Sequence, residues 1–183
     1  MDLQQAIKLR RTIHSFNTLK VPDIIIGRAI QAANYAPCHR LTYPWRFTNV
    51  TRGQRELFAK LALEIKFGKG DIESAAIDRI NSKILDPSHL IVASQIISEN
   101  PQHKLEDYAA CSCAIQNLLL SLVGDGVGSK WSTGKITSHA NTYRIVDIDP
   151  LEEEIIGFLW IGYGMTPPQI NRPPIASIFR DNE

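Results

Sequence analysis

The chain has 183 residues, of which 44% are hydrophobic, 21% charged and 8% aromatic; these proportions exclude intrinsic disorder, a collagen repeat and a coiled coil, and this length predicts about one domain, residues 1–183. No apolar run approaches the roughly 20 residues of a membrane span, Met1-Asp2-Leu3-Gln4-Gln5 does not open a signal peptide, and three cysteines, two of them at Cys111-x-Cys113, make no disulfide framework, so a soluble, cytoplasmic protein is expected. The formal net charge of +1 hides an asymmetry: residues 1–52 carry eight Lys/Arg against two Asp, a net of +6, and the remainder carries −5. That pattern points to one anionic ligand and argues against nucleic acid or a membrane surface as partner.

Asp2 can cap a first helix with Leu3, Ala6 and Ile7 at helical spacing, ending near Arg10-Arg11. Val21-Pro22-Asp23 opens a second, since proline fits a helix start, and Pro37 ends it by pushing its predecessor out of the helical region. Pro44 to Val50 alternates and predicts a strand. Residues 53–67 and 71–85 predict two surface helices broken at Gly68 and Gly70, and the β-branched run Leu90 to Ile97 predicts a central strand.

Ala109 to Val123 holds no charge, after a charged start at Lys104, Glu106 and Asp107. A helix apolar on nearly every face is buried, in the core or at a subunit interface. Gly124, Gly126 and Gly128 end it, a strand segment follows from Ser129, a short helix lies near 137–146, and Ile155 to Gly164 is the last strand. The prolines between Thr166 and Pro174 exclude a regular element there and predict a semi-extended tail. The order α, α, β, α, α, β, long α, β, α, β, tail predicts an α+β or mixed fold without repeats or linkers.

Two glycine signals fail on inspection. Gly124-Asp125-Gly126-Val127-Gly128 lacks the G-x-G-x-x-G spacing and follows a helix, where a dinucleotide turn follows a strand. Ser129 to Ile136 nearly spells a phosphate loop, but Ser129 stands for its first glycine and Ile136 for its magnesium-binding hydroxyl. The five histidines show no metal-ligand spacing. Cys111 and Cys113 point about 200° apart on a helix, so buried packing is expected of them rather than ligation. No Ser-His-Asp or Cys-His arrangement offers a nucleophile. Arg10-Arg11-Thr12 is more informative, because two guanidiniums and a hydroxyl at a helix end suit a phosphate; taken alone, the triplet equally complements a helix dipole.

Read together, four segments resemble the nitroreductase family of flavoproteins. Arg10-Arg11-Thr12-Ile13-His14-Ser15-Phe16 is similar to its R-R-S-x-R-x-[FY] start, and Ala36-Pro37 through Pro44-Trp45-Arg46-Phe47 to its A-P…P-W-x-[FY] segment. Gly126 to Gly134 resembles the G-x-[GS]-x-x-W-x-[ST]-G loop, and Ile156 to Gly164 the terminal [IV]-[IV]-G-x-[LI]-x-[IL]-G-[YT] strand. The resemblance is to the short branch of the family. It implies a central, mostly antiparallel sheet flanked by helices and an intertwined homodimer with FMN at the subunit interface, the charge-free helix at the interface and the tail a strap across the partner.

Position by position, the resemblance implies that Arg10 and Thr12, with Arg11 alongside, hold the FMN phosphate and ribityl. Tyr35 and His39 come from the other subunit to the ring, Trp131, Ser132 and Thr133 pass along the isoalloxazine, and backbone amides near Thr133-Gly134 reach its N5 or O4. Arg172 is a further phosphate candidate. Two departures stand out: Thr12 replaces the usual Ser, and Leu41, Thr42 and Tyr43 occupy the place of the family's Asn and Gln before Pro-Trp. The implied activity is FMN-dependent, ping-pong hydride transfer from NAD(P)H to a nitroaromatic or quinone. Alternatives are a flavin storage or sensor module, favoured if Tyr43 or Trp131 covers the ring, and a relative acting on a halogenated aromatic or on flavin itself.

Overall fold

The strands β1 (Trp45–Asn49), β2 (His89–Ile96), β3 (Gly128–Ser132) and β4 (Glu153–Gly162) form one antiparallel sheet in the order β1-β2-β4-β3. They belong to a computed structural model that describes residues 1–68, 70–165 and 170–181. Six α-helices accompany them among the described residues: α1 (Leu3–Leu9), α2 (Asp23–Ala33), α3 (Arg52–Phe67), α4 (Ser74–Leu85), α5 (Pro101–Gly124) and α6 (Ala140–Val146). Element order and α+β class agree with the sequence expectation.

The two central strands are apolar on both faces, so helices must cover both. On one face Ile91, Ala93, Leu159 and Ile161 pack with α2 and α5 through Ala29, Ala33, Ala114, Leu118 and Leu122. On the other, Leu90, Val92, Phe158 and Trp160 pack with α3, α4 and α6 through Phe58, Ile84 and Val146. Each fully buried Leu or Phe contributes about 1.5–3 kcal/mol. The ladder between β2 and β4 slips once: Ala93 faces Gly157 and Ser94 faces Ile155, leaving Ile156 as an extra, bulged residue.

Helix boundaries follow their caps. Thr51 and Gln54 form a reciprocal capping box that starts α3, and Gly68, at φ 69°, ends it. The helix α5 begins at Pro101, earlier than its charge-free run, because the Asn100 side chain accepts from the Gln102 and His103 N–H groups at 2.9 and 3.2 Å. Its burial is one-sided: Ala110, Cys111, Ala114, Ile115 and Leu118 are buried, whereas Ala109, Cys113 and Gln116 form an exposed stripe at helical spacing. The expectation of two packed cysteines is thus corrected for Cys113, which is exposed. Residues 166–169 of the proline-rich tail lie outside the described residues; 170–174 form no regular element and Ile175–Ser177 make a single 3-10 turn. No helix among the described residues is long and apolar enough to cross a membrane.

Arg55 on α3 is 4% exposed and is held by carbonyls alone. Its Nε and Nη2 donate to Ile84 O (2.9 and 2.7 Å), Nη2 also to Pro87 O (2.6 Å), and Nη1 to Ser88 O (3.3 Å). The guanidinium therefore ties α3 to the end of α4 and the turn into β2. Burial, then Arg52, pushes its pKa down to about 10, against a small opposing pull from Asp86, so it stays charged at neutral pH. Replacing it by Met strands three buried carbonyls; Arg55→Met should lose about 3 kcal/mol, a fall in Tm of roughly 10 °C by circular dichroism. Cys111 supplies a second expectation. Burial, then Asp107 and Cys38, against Arg46, push its thiol up to about 12. Iodoacetamide at pH 8 should therefore leave Cys111 unmodified in the folded protein and alkylate it only after unfolding, as read by mass spectrometry.

Candidate cofactor site

Residues 10–17 leave α1 and dock onto the sheet. Arg10 donates its N–H to Ala6 O at 2.9 Å and then turns extended, at φ −58° and ψ 119°. Thr12 bridges Ser129 on the outer edge of β3, and the Ile13 N–H donates to Ser129 O at 3.0 Å. Phe16 bridges Gly164, and the Asn17 N–H reaches Tyr163 O at 2.8 Å. Arg10-Arg11-Thr12 is thereby suspended between a helix end and a sheet edge.

The structure brings Arg172 to this segment from the opposite end of the chain. Arg10 is half-buried, and its pKa is lowered first by desolvation, then by the charge of Arg172, then by that of Arg11. None of the ion pairs among the described residues includes Arg10, Arg11 or Arg172. A half-buried guanidinium with two like charges near it and, among the described residues, no ion-pair partner suits an anion, and a phosphate accepts from guanidiniums in bidentate fashion. A helix-dipole role alone does not explain the convergence of Arg172 on Arg10.

Trp131 to Gly134 continue from the same strand. The Trp131 indole lies across Gly157, where a Cβ would stand 2.1 Å from its Nε1, and that Nε1 donates at 3.3 Å to Ile156 O at the bulge. Ser132 accepts from Trp160 Nε1 at 2.8 Å, so its hydroxyl is engaged on the opposite face. Thr133 and Gly134 are exposed, and Gly134 adopts φ 138°, a conformation that favours glycine. The Gly134 carbonyl accepts from both the N–H and the hydroxyl of Thr137 at 2.9 and 2.7 Å. Among the described residues the Thr133 and Gly134 N–H groups bond to no backbone carbonyl, which leaves them available to a ligand.

Tyr35 and His39 stand elsewhere in the same chain. Tyr35, 79% exposed, borders a groove of about 400 Å³ between α1, α2 and α5. His39 borders another, of about 490 Å³, with Cys38, Glu106, Ala109 and Cys113. Neither cavity is lined by Arg10, Thr12 or residues 131–134.

The loop that carries His39 is strained. Arg40, Leu41 and Tyr43 have φ of 62°, 55° and 46°, a region that costs a residue with a side chain roughly 1 kcal/mol or more. Cys38 Sγ accepts the Tyr43 N–H at 3.2 Å, and Thr42 Oγ1 donates to buried Asp107 at 2.7 Å. Glu106 Oε2 faces Arg40 Nε at 3.5 Å and His39 Nε2 at 3.9 Å; its carboxyl is held low, chiefly by a hydrogen bond from Gln102, with His39 and Arg40 adding to it against desolvation. Glu106 and Asp107, which hold the loop that carries His39, are residues that sequence reasoning missed. The signal was present: Asp107 is a charge on the helix face that Ala110, Cys111 and Ala114 bury.

Comparison with known proteins gives a consistent result. The chain matches the Nitroreductase family over residues 7–163. It is 31% identical over 183 residues to YfhC of Bacillus subtilis (strain 168), whose name assigns it provisionally as an NAD(P)H nitroreductase, covering 98% of this chain and 93% of that one. Its fold is similar to that of a nitroreductase-like family protein from Bacillus cereus, with TM-score 0.83 and 24% identity over 100% of this chain and 97% of the other. It is similar also to that of a nitroreductase with bound FMN from Bacteroides fragilis NCTC 9343, with TM-score 0.75 and 19% identity over 100% of both chains. By sequence and by fold alike, then, the chain belongs to the nitroreductase family.

Proposed function

We propose that this chain, as a single domain over residues 1–183, is an FMN-dependent NAD(P)H oxidoreductase that works as a homodimer with the flavin at the subunit interface. The observation that carries the reading is the unpaired cluster of Arg10, Arg11 and Arg172. A phosphate monoester, at about −1.5 to −2 charge, meets the need of that cluster. Thr12 would add a hydroxyl donor. Trp131 and Ser132 would flank the ring, and the Thr133 and Gly134 amides would donate to its polar edge, where donors stabilise negative charge on the reduced form. When bound, FMN supplies the ring through which hydride passes from NAD(P)H to an electron-poor acceptor such as a nitroaromatic or a quinone, the two substrates using it in turn.

Tyr35 and His39 would reach the ring from a second copy, which agrees with their separation from the arginine cluster in one chain. Further support for a dimer comes from the exposed stripe Ala109, Cys113 and Gln116 on α5 and from the tail, where Ile170, Ile175, Ile178 and Phe179 are all more than half exposed. The apolar residues among these, so placed, call for a partner surface.

The purified protein should be yellow, and anaerobic addition of NADH or NADPH should bleach its flavin bands; a colourless protein that cannot be loaded with FMN overturns the reading, and flavin that does not bleach favours a storage or sensor module. Arg10→Ala with Thr12→Ala should weaken FMN binding by about 100-fold in a fluorescence titration, and an unchanged flavin content removes the phosphate assignment. In sedimentation velocity the protein should run at about twice its chain mass of 20.5 kDa.

A further inference from the structure

We propose that Ile13, seated in a slot formed by Gly128 and Gly164, is the positioning residue that sets the grip of the Arg10-Arg11-Thr12 segment on phosphate. The proposal rests on the reading of that segment, with Arg172, as the flavin phosphate site. Between the end of α1 at Leu9 and the bridge from Phe16 to Gly164, no helix or strand holds the chain. What fixes it is the contact of Thr12 and Ile13 with the edge of β3, and the Ile13 side chain, 8% exposed, is the buried part of that contact.

Two glycines make room for it from opposite sides. A Cβ on Gly128 would stand 2.6 Å from Ile13 Cγ1. A Cβ on Gly164 would stand 2.6 Å from Ile13 Cγ2 and 2.3 Å from the Ser15 carbonyl oxygen. Carbon atoms do not approach so closely in a packed interior, so a side chain at either position must displace residues 13–15. Neither glycine has a positive φ; those that do, among the described residues, are Gly68, Gly126 and Gly134. Backbone conformation therefore does not call for glycine at 128 or 164, and space does.

Ile13 directly follows Thr12 and lies three residues along the extended segment from Arg10, so a shift of the clamp is a shift of the phosphate donors. Charge-assisted hydrogen bonds lose strength steeply with misalignment. Donors for the flavin ring would lie instead on residues 133 and 134, beyond the far end of β3. The clamp should consequently govern selectivity for the phosphorylated flavin over the bare one, and leave ring binding alone.

The test compares FMN with riboflavin, titrated into flavin-depleted full-length protein. Gly128→Ala should weaken FMN about tenfold, one well-aligned charged hydrogen bond, while riboflavin affinity stays within about twofold. If Gly128→Ala weakens both ligands equally, or neither, the clamp is not a phosphate-positioning device. Should Gly128→Ala fail to fold, Ile13→Ala reads the same slot by removing both γ carbons that the glycines face: a loss of FMN-over-riboflavin preference of about threefold is expected, and an unchanged preference overturns the proposal. A wild-type protein that binds FMN no better than riboflavin would instead remove the phosphate-site reading on which the clamp depends.

Discussion

Pairing of β2 with β4 is the constraint on which the rest of the molecule depends. Both strands are apolar on both faces, so they hold the middle of the sheet and oblige helices to cover it above and below. That choice sends β1 and β3 to the edges, where unpaired backbone must be blunted or covered. The edge of β3 is covered by the chain's own residues 12 and 13. The arginine segment is thus fixed in space by the need to close a sheet edge, and its chemistry is an outcome of that topology.

The two ends of the candidate site are supported in different ways. The arginine end is electrostatically uncomfortable on its own: like charges converge on a half-buried guanidinium, and among the described residues no carboxylate pairs with it. The end at Trp131 and Ser132 is held by neutral contacts, an indole on glycine and a hydroxyl under another indole. An anion bound at the first end removes repulsion, so ligand binding and stability are linked there more strongly than packing alone would make them. The strained loop at Arg40, Leu41 and Tyr43 shows the same economy, because the carboxylates of Glu106 and Asp107 hold it from below.

Periodicity made most of the fold legible in the sequence. The alternation of Pro44 to Val50, the β-branched run at 90–97 and the charge-free helix each have a period that one packing solution satisfies. Boundaries were less legible, since α5 starts at a cap, Asn100 before Pro101, and α6 starts after His139 rather than at residue 137. Exposure of Cys113 and Gln116 was not legible at all, because absence of charge does not say which face of a helix meets the core. At the site, Arg10-Arg11-Thr12 announced a phosphate only ambiguously, and its meeting with Arg172 is a tertiary fact carried by the family resemblance alone. The slots at Gly128, Gly157 and Gly164 are invisible in a single sequence, where a glycine kept for space looks like one kept for conformation.

The bulge at Ile156 has a consequence for how this chain can change length. A strand with one face on each of two cores tolerates no insertion or deletion, because a shift of one residue exchanges its faces. Ile156 is the exception within β4: with it removed, Ile155 and Gly157 become neighbours, still opposite Ser94 and Ala93 and still on their present faces. The ladder would close without a break, at the cost of the buried Ile156 side chain and of the carbonyl that receives the Trp131 indole. Among homologues, length variation inside this strand should therefore collect at this one position, and where it does, the tryptophan should keep its place over the glycine but need another acceptor for its indole N–H.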